Sequence, residues 1–245
     1  MDGWGWFDLN FPWIGAAAAA VLLALLFGTG LLRADLRKPR WRDPSWLSWM
    51  GVVAYLLHNV EEYGIDLLGR RHRFPADFVQ ALNLPPYPDS PVPPLFFLAV
   101  NVTAFWVAAP LAALLSRRHP LVGLSVYGII IVNFFAHLLP LLGRAEYGAG
   151  LLTALTVFLP LSIWTIHACF GPGRMSYRAL ALLVAGGILV HIILGGSVLL
   201  FLHGAIGGTA LVLAQVVNPF LLMFILRRGE TWRGGTLVSP LPRPA

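Results

Sequence analysis

Charge is scarce in this chain. Only 11% of its 245 residues are Asp, Glu, Lys or Arg and 58% are hydrophobic, whereas a soluble domain carries roughly 25% charged residues. That composition excludes an ordinary soluble domain and implies a polytopic membrane protein. Cysteine is almost absent too. Cys169 stands alone, which rules out an intramolecular disulfide or a thiolate metal cluster and leaves a small buried hydrophobe as its natural reading. The start, "MDGWGWFDLN", has two acids and no base. It lacks the positive n-region of a secretory signal, so the first apolar run is expected to remain as an uncleaved span.

What the sequence has in abundance is long apolar runs. Windows of about 20 apolar residues predict spanning helices at 13–32, 46–68, 94–116, 120–143, 150–170, 178–202 and 208–226. The expected fold is therefore all-α: a polytopic transmembrane helical bundle of about seven spans, forming one membrane-embedded domain over 1–245. Alternating the sides of these spans puts the basic residues after the first, third, fifth and seventh helices together, 13 of the 17 in the chain. Arg70, Arg71, Arg73 and Arg144 fall opposite. The positive-inside rule then places the N-terminus outside, a tail at 227–245 in the cytoplasm, and the protein in the plasma (inner) membrane as a multi-pass chain. The basic balance is accounted for by Arg at an anionic leaflet. Membrane lipids are the expected partners, and nothing calls for nucleic acid.

One connection is long. Residues 69–93 lie on the outer face between the second and third spans, and "PADFVQAL" within them predicts a short interfacial helix from Pro75, with Phe78, Val79 and Leu82 toward lipid. A loop of this length is a candidate lid.

Against this apolar background the polar residues inside spans stand out. "AYLLHNVEEYGIDLLG" places His58, Glu61 and Glu62 in the second span. At 1.5 Å per residue His58 lies roughly 18 Å and Glu62 about 24 Å along it, while Asn133 and His137 reach roughly 20 and 26 Å along the fourth. His191 lies about 20 Å along the sixth. His58 is i,i+3 to Glu61 and i,i+4 to Glu62, so the three side chains are expected on one side, with Tyr55 a turn earlier. Asn133 and His137 share a face in the same way. Gly187, His191 and Gly195 recur at intervals of four, which lets a neighbouring helix approach closely. Adjacent buried carboxylates are a poor packing device, and intramembrane ionisable groups mark function. The other histidines, at or near helix ends, read as interfacial or capping residues. Asn101 lies in a span, so its Asn-Val-Thr sequon is out of reach of glycosylation.

"His58-Asn-Val-Glu61-Glu62", followed by "Asn133-Phe-Phe-Ala-His137" and then "Tyr147-Gly-Ala-Gly150-Leu-Leu-Thr153", resembles the HXXEE family of integral membrane proteins over residues of about 45–165. The resemblance implies site residues, and an enzymatic role of unassigned reaction, more readily than a substrate. The family's second motif tends to read Tyr-x-Pro-Gly, and here "YGAG" lacks the proline.

Three chemistries fit these groups. In the first, His58, Glu61 or Glu62, and His137, with His191 as a further candidate, hold a divalent metal such as zinc or iron, and a carboxylate serves as general base. The spacing is not that of an HExxH zinc helix. In the second, without a metal, one carboxylate stays protonated and the other ionised, allowing isomerisation or cyclisation of a sterol-like or isoprenoid substrate. In the third, the groups serve a proton-coupled carrier or a lipid- or haem-binding protein. The leading expectation is an integral membrane enzyme on a small lipophilic substrate, with metal-dependent hydrolytic or oxidative chemistry at His58, Glu61, Glu62, Asn133 and His137. Tyr55, Asn101, Tyr127 and Gln215 are candidate pocket residues, and Trp106 and Trp164 are further aromatics within spans that read first as core or lipid-facing and second as cavity-lining.

Overall fold

The computed structural model describes residues 4–231. Among these residues the chain is all-helical and contains no β-strand. Helix α1 spans Trp6–Gly28. Helix α2 starts at Pro44–Asn59 and continues through a π-helical turn, Val60–Gly64. A short α3, Arg73–Ala81, follows. Then come α4 (Pro94–Leu115), α5 (Pro120–Gly143), α6 (Leu151–Cys169), α7 (Tyr177–Leu202) and α8 (Gly208–Glu230). The tail expected over 227–245 is described only as far as residue 231.

Six of these helices, α1 and α4 to α8, are long and apolar enough to cross a membrane. Helix α2 differs for a physical reason. It is almost wholly buried among the others, so it has no lipid to match, and its His, Asn and Glu lower its hydropathy. At residues 44–64 it is still roughly 31 Å long, the thickness of a hydrocarbon core. It begins where the Asp43 carboxylate accepts from the Ser45 amide, with Pro44 at the first helical position. It stops at Gly64, earlier than the predicted residue 68. There Asp66 organises a tight reversal, accepting from the amides of Leu68 and Arg70 and pairing with the Arg70 guanidinium at 2.7 Å.

Helix α2 is the axis of the fold, packed against α1, α4 and α5, while α5 lies along α7 and α7 along α8. Small residues set the closest approaches. A side chain on Gly51 would meet Val126 at 2.5 Å, and one on Gly187 would overlap the Gly128 carbonyl oxygen. The backbones of α7 and α5 therefore touch at Gly187. Gly195, predicted to share that role, faces open space. The apolar surface of α1, α6, α7 and α8 points outward, as lipid requires.

The predicted interfacial helix exists, but its orientation differs from the expectation. Val79 is fully buried, and Phe74, Phe78 and Leu82 pack into an aromatic cluster with Phe96 and Phe97. They face the bundle rather than lipid, because α3 closes over a space between α4 and α5 whose apolar lining would otherwise be open.

Candidate functional site

Among the described residues three helices contain a π-helical stretch: Val60–Gly64 in α2, Val102–Ala108 in α4 and Ala154–Phe158 in α6. Such widened turns re-aim side chains and recur at functional sites. Here they surround one cluster. Glu61 and Glu62 lie in the first, Phe105 of the second stacks on Tyr55, and Phe158 of the third packs against His58 with ring centroids 4.4 Å apart.

The widened turn of α2 sends the two glutamates to different neighbours. Glu61 accepts from the Leu152 and Thr153 amides at 2.9 and 2.7 Å, and from the Tyr147 and Thr153 hydroxyls, both at 2.5 Å. All four donors belong to the start of α6 or the loop before it. A helix N-terminus has unpaired amides and partial positive charge, and Glu61 supplies the carboxylate that meets both needs. Burial and the adjacent Glu61 carboxylate push the Tyr147 phenol above its ordinary range, which keeps it a donor.

Glu62 sits between two imidazoles. Its Oε1 lies 3.4 Å from His58 Nε2 and 3.3 Å from His137 Nε2. His58 Nδ1 lies 2.7 Å from the Thr153 hydroxyl oxygen. Since that hydroxyl gives its proton to Glu61, it accepts from His58, so His58 carries its proton on Nδ1 and leaves Nε2 with a lone pair toward Glu62. Asn133 supports this arrangement, donating to Nε2 at 3.2 Å and to the Tyr55 hydroxyl at 3.0 Å. His137 Nε2 is buried and, apart from the Glu62 carboxylate, has no polar partner. Gly150, with φ +96°, lies against both rings: a side chain there would come within 2.5 Å of His137 Cε1 and 2.8 Å of His58 Cε1.

Residues 49–165 match the family model described as "Protein of unknown function with HXXEE motif". The match is to the HXXEE family. It spans the resemblance seen in the sequence, and no curated protein or solved structure matches the chain.

The HXXEE motif thus divides its labour. Its histidine and second glutamate meet His137 to form a buried group whose ligand atoms lie within 4.8 Å of one another. Its first glutamate is committed to the start of α6. Of the metal ligands expected from the sequence, the group contains His58, Glu62 and His137 and leaves out Glu61 and His191. Thr153, quoted in the sequence only as part of a motif, emerges as the link between Glu61 and His58. A threonine at the third position of a helix is a weak signal by itself, because its importance depends on what another helix places beside it.

Glu62 and His137 line a cavity of about 570 Å³, within the range of small-molecule sites. Its walls are largely apolar, with Phe74, Phe78, Phe96 and Phe97 on one side, while Arg70, Arg73, Asp77 and Tyr147 also line it. Tyr55, Asn101, Asn133, His191 and Gln215 also reach it. Tyr127 does not. Its hydroxyl donates to the Leu47 carbonyl at 2.7 Å in the core between α2 and α5. Trp106 packs against Phe7 and Phe11 of α1, and Trp164 lies on the outer surface, donating to the Trp41 carbonyl. Neither lines the cavity. Their predicted depth is compatible with a cavity position, but the helix faces that carry them turn elsewhere. Asn101 holds the Tyr63 hydroxyl at 2.9 Å.

Proposed function

We propose that this protein is an integral membrane enzyme that binds a divalent metal through His58 Nε2, Glu62 and His137 Nε2 and acts on a small lipophilic substrate. The observation that carries this reading is the convergence of two imidazoles and one carboxylate in a buried pocket, with His137 Nε2 facing Glu62 and the His58 tautomer fixed by Thr153 and Glu61. Two histidines and one carboxylate form a set used by hydrolytic zinc and by nonhaem iron sites. The Glu61, Thr153 and His58 chain is the kind of outer support that metal-ligating histidines use. A metal here would polarise a substrate oxygen or activate water. Zinc fits hydrolysis and iron fits oxidation.

The cavity lies among apolar helices, beneath α3, so the substrate is expected to come from the lipid. The basic residues sort as the positive-inside rule requires for an outside N-terminus and a cytoplasmic C-terminus in the plasma membrane. That orientation puts the metal group in the outer half of the bilayer.

A metal-free reading has one observation in its favour. Asn133 already donates to His58 Nε2, and Glu62 sits at ion-pair distance from both histidines, so a proton shared among them would also compensate the buried carboxylate. That cluster would serve acid–base isomerisation or cyclisation. Metal analysis of protein purified in detergent separates the two. The metal reading expects about one zinc or iron per chain, lost in His137→Ala and Glu62→Gln. A protein that neither retains metal nor binds added zinc or iron overturns it.

A further inference from the structure

Opposite the metal group, α7 and α8 form the other wall of the cavity, and three of its residues, His191, Gln215 and Asn218, are polar. Most of their donors are already used. Asn218 Nδ2 donates to the Val190 carbonyl at 2.9 Å, and Gln215 Nε2 donates to the Ser197 hydroxyl at 2.8 Å. His191 Nδ1 lies 2.8 Å from the Gly187 carbonyl oxygen, so that nitrogen carries the proton. What remains on this wall, besides the second N–H of Asn218, is acceptors. Asn218 Oδ1 is buried without a partner, in a residue only 4% exposed. His191 Nε2 is left with a lone pair. Pro219 has no amide to offer the Gln215 carbonyl one turn back.

A buried acceptor that lacks a donor costs free energy until one arrives. We infer that the α7–α8 wall reads a hydrogen-bond donor on the substrate, a hydroxyl or an ammonium, with Asn218 Oδ1 and His191 Nε2 as the accepting atoms. The ligand class is then a lipophilic alcohol or amine. A carboxylate or phosphate would bring lone pairs to these two acceptors, so an anionic group seats elsewhere in the cavity, where Arg70 and Arg73 line it.

The inference rests on the cavity being a lipid-substrate site, and it does not require the metal reading to hold. The test uses detergent-purified full-length protein and three 18-carbon probes of one chain shape: oleyl alcohol, oleylamine and oleic acid. Binding is followed by native mass spectrometry and by the shift in thermal unfolding, with metal content measured on the same samples. The expected result is that the alcohol or the amine binds through this wall, the stronger of the two naming the donor, while any binding of the acid does not depend on His191 or Asn218. His191→Phe and Asn218→Leu should each weaken the preferred probe about three- to tenfold, the worth of one neutral hydrogen bond, with metal content unchanged. His191→Phe is the safer variant for folding, because it retains a ring and gives up one contact within its own helix. Failure of both the alcohol and the amine to bind, or a folded His191→Phe protein with unaltered affinity for the preferred probe, would each overturn the inference. Loss of the metal reading alone would leave it standing.

Discussion

The Thr153 hydroxyl donates to the Glu61 carboxylate at 2.5 Å and accepts from His58 Nδ1 at 2.7 Å. Through it a carboxylate that does not itself line the cavity decides which face of the His58 imidazole is available. Thr153→Val keeps the shape and removes the hydroxyl. Metal affinity is expected to fall about 10- to 100-fold, as for other outer supports of metal ligands, and Thr153→Ser should restore most of it. Competition with a fluorescent zinc chelator measures this, and a folded Thr153→Val protein with wild-type affinity contradicts the relay.

The two glutamates of the motif should separate in a pair of conservative changes. Glu61→Gln leaves one cap atom unable to accept at the start of α6, and stability should drop by about 1–3 kcal/mol. Glu62→Gln should cost the metal while changing the metal-free protein's thermal midpoint far less. Unfolding followed by circular dichroism, paired with elemental analysis, reads both. Equal effects of the two substitutions on both readouts would refute the division of roles.

Gly150 and Gly148 provide a second matched pair. Gly150→Ala forces a side chain into the space of both imidazoles at a positive φ, where the backbone strain alone is of order 1–3 kcal/mol, so metal binding and stability should fall together. A methyl group on Gly148 would meet nothing within 4 Å, and Gly148→Ala should stay within about 0.5 kcal/mol of the parent. Thermal unfolding and zinc titration of the two variants side by side check the contrast.

At the other end of the bundle, Glu230 accepts from the Leu121 amide at 2.7 Å and lies 3.1 Å from His119. It fastens the end of α8 to the start of α5. Glu230→Gln is expected to lower the thermal midpoint without affecting metal content, which makes it a control for variants that merely loosen the fold.

Much of this is legible in the sequence. Apolar run length locates the lipid-facing helices, and helical spacing puts His58, Glu62, Asn133 and His137 at one level, where they meet. The failures share a cause. A helical wheel puts Glu61 and Glu62 beside His58, and both are there, Glu62 directly and Glu61 through Thr153, but it cannot say which neighbouring helix takes which carboxylate. Phe78 and Val79 read as lipid-facing because amphipathicity shows that a helix has an apolar face but not what covers it. Tyr127 has a suitable depth but the wrong azimuth, which only the packing of α5 on α2 determines. His191 reaches the cavity without joining the metal group, since sequence spacing gives its height along α7 and not its distance from α2.

Helix α6 begins against the metal group rather than beyond it, because Gly150 touches both imidazoles while Glu61 holds the two amides that follow. Ligand occupancy and the seating of that helix are therefore mechanically joined: a shift of either histidine presses on the turn before α6, and fraying of that turn releases Thr153 from His58.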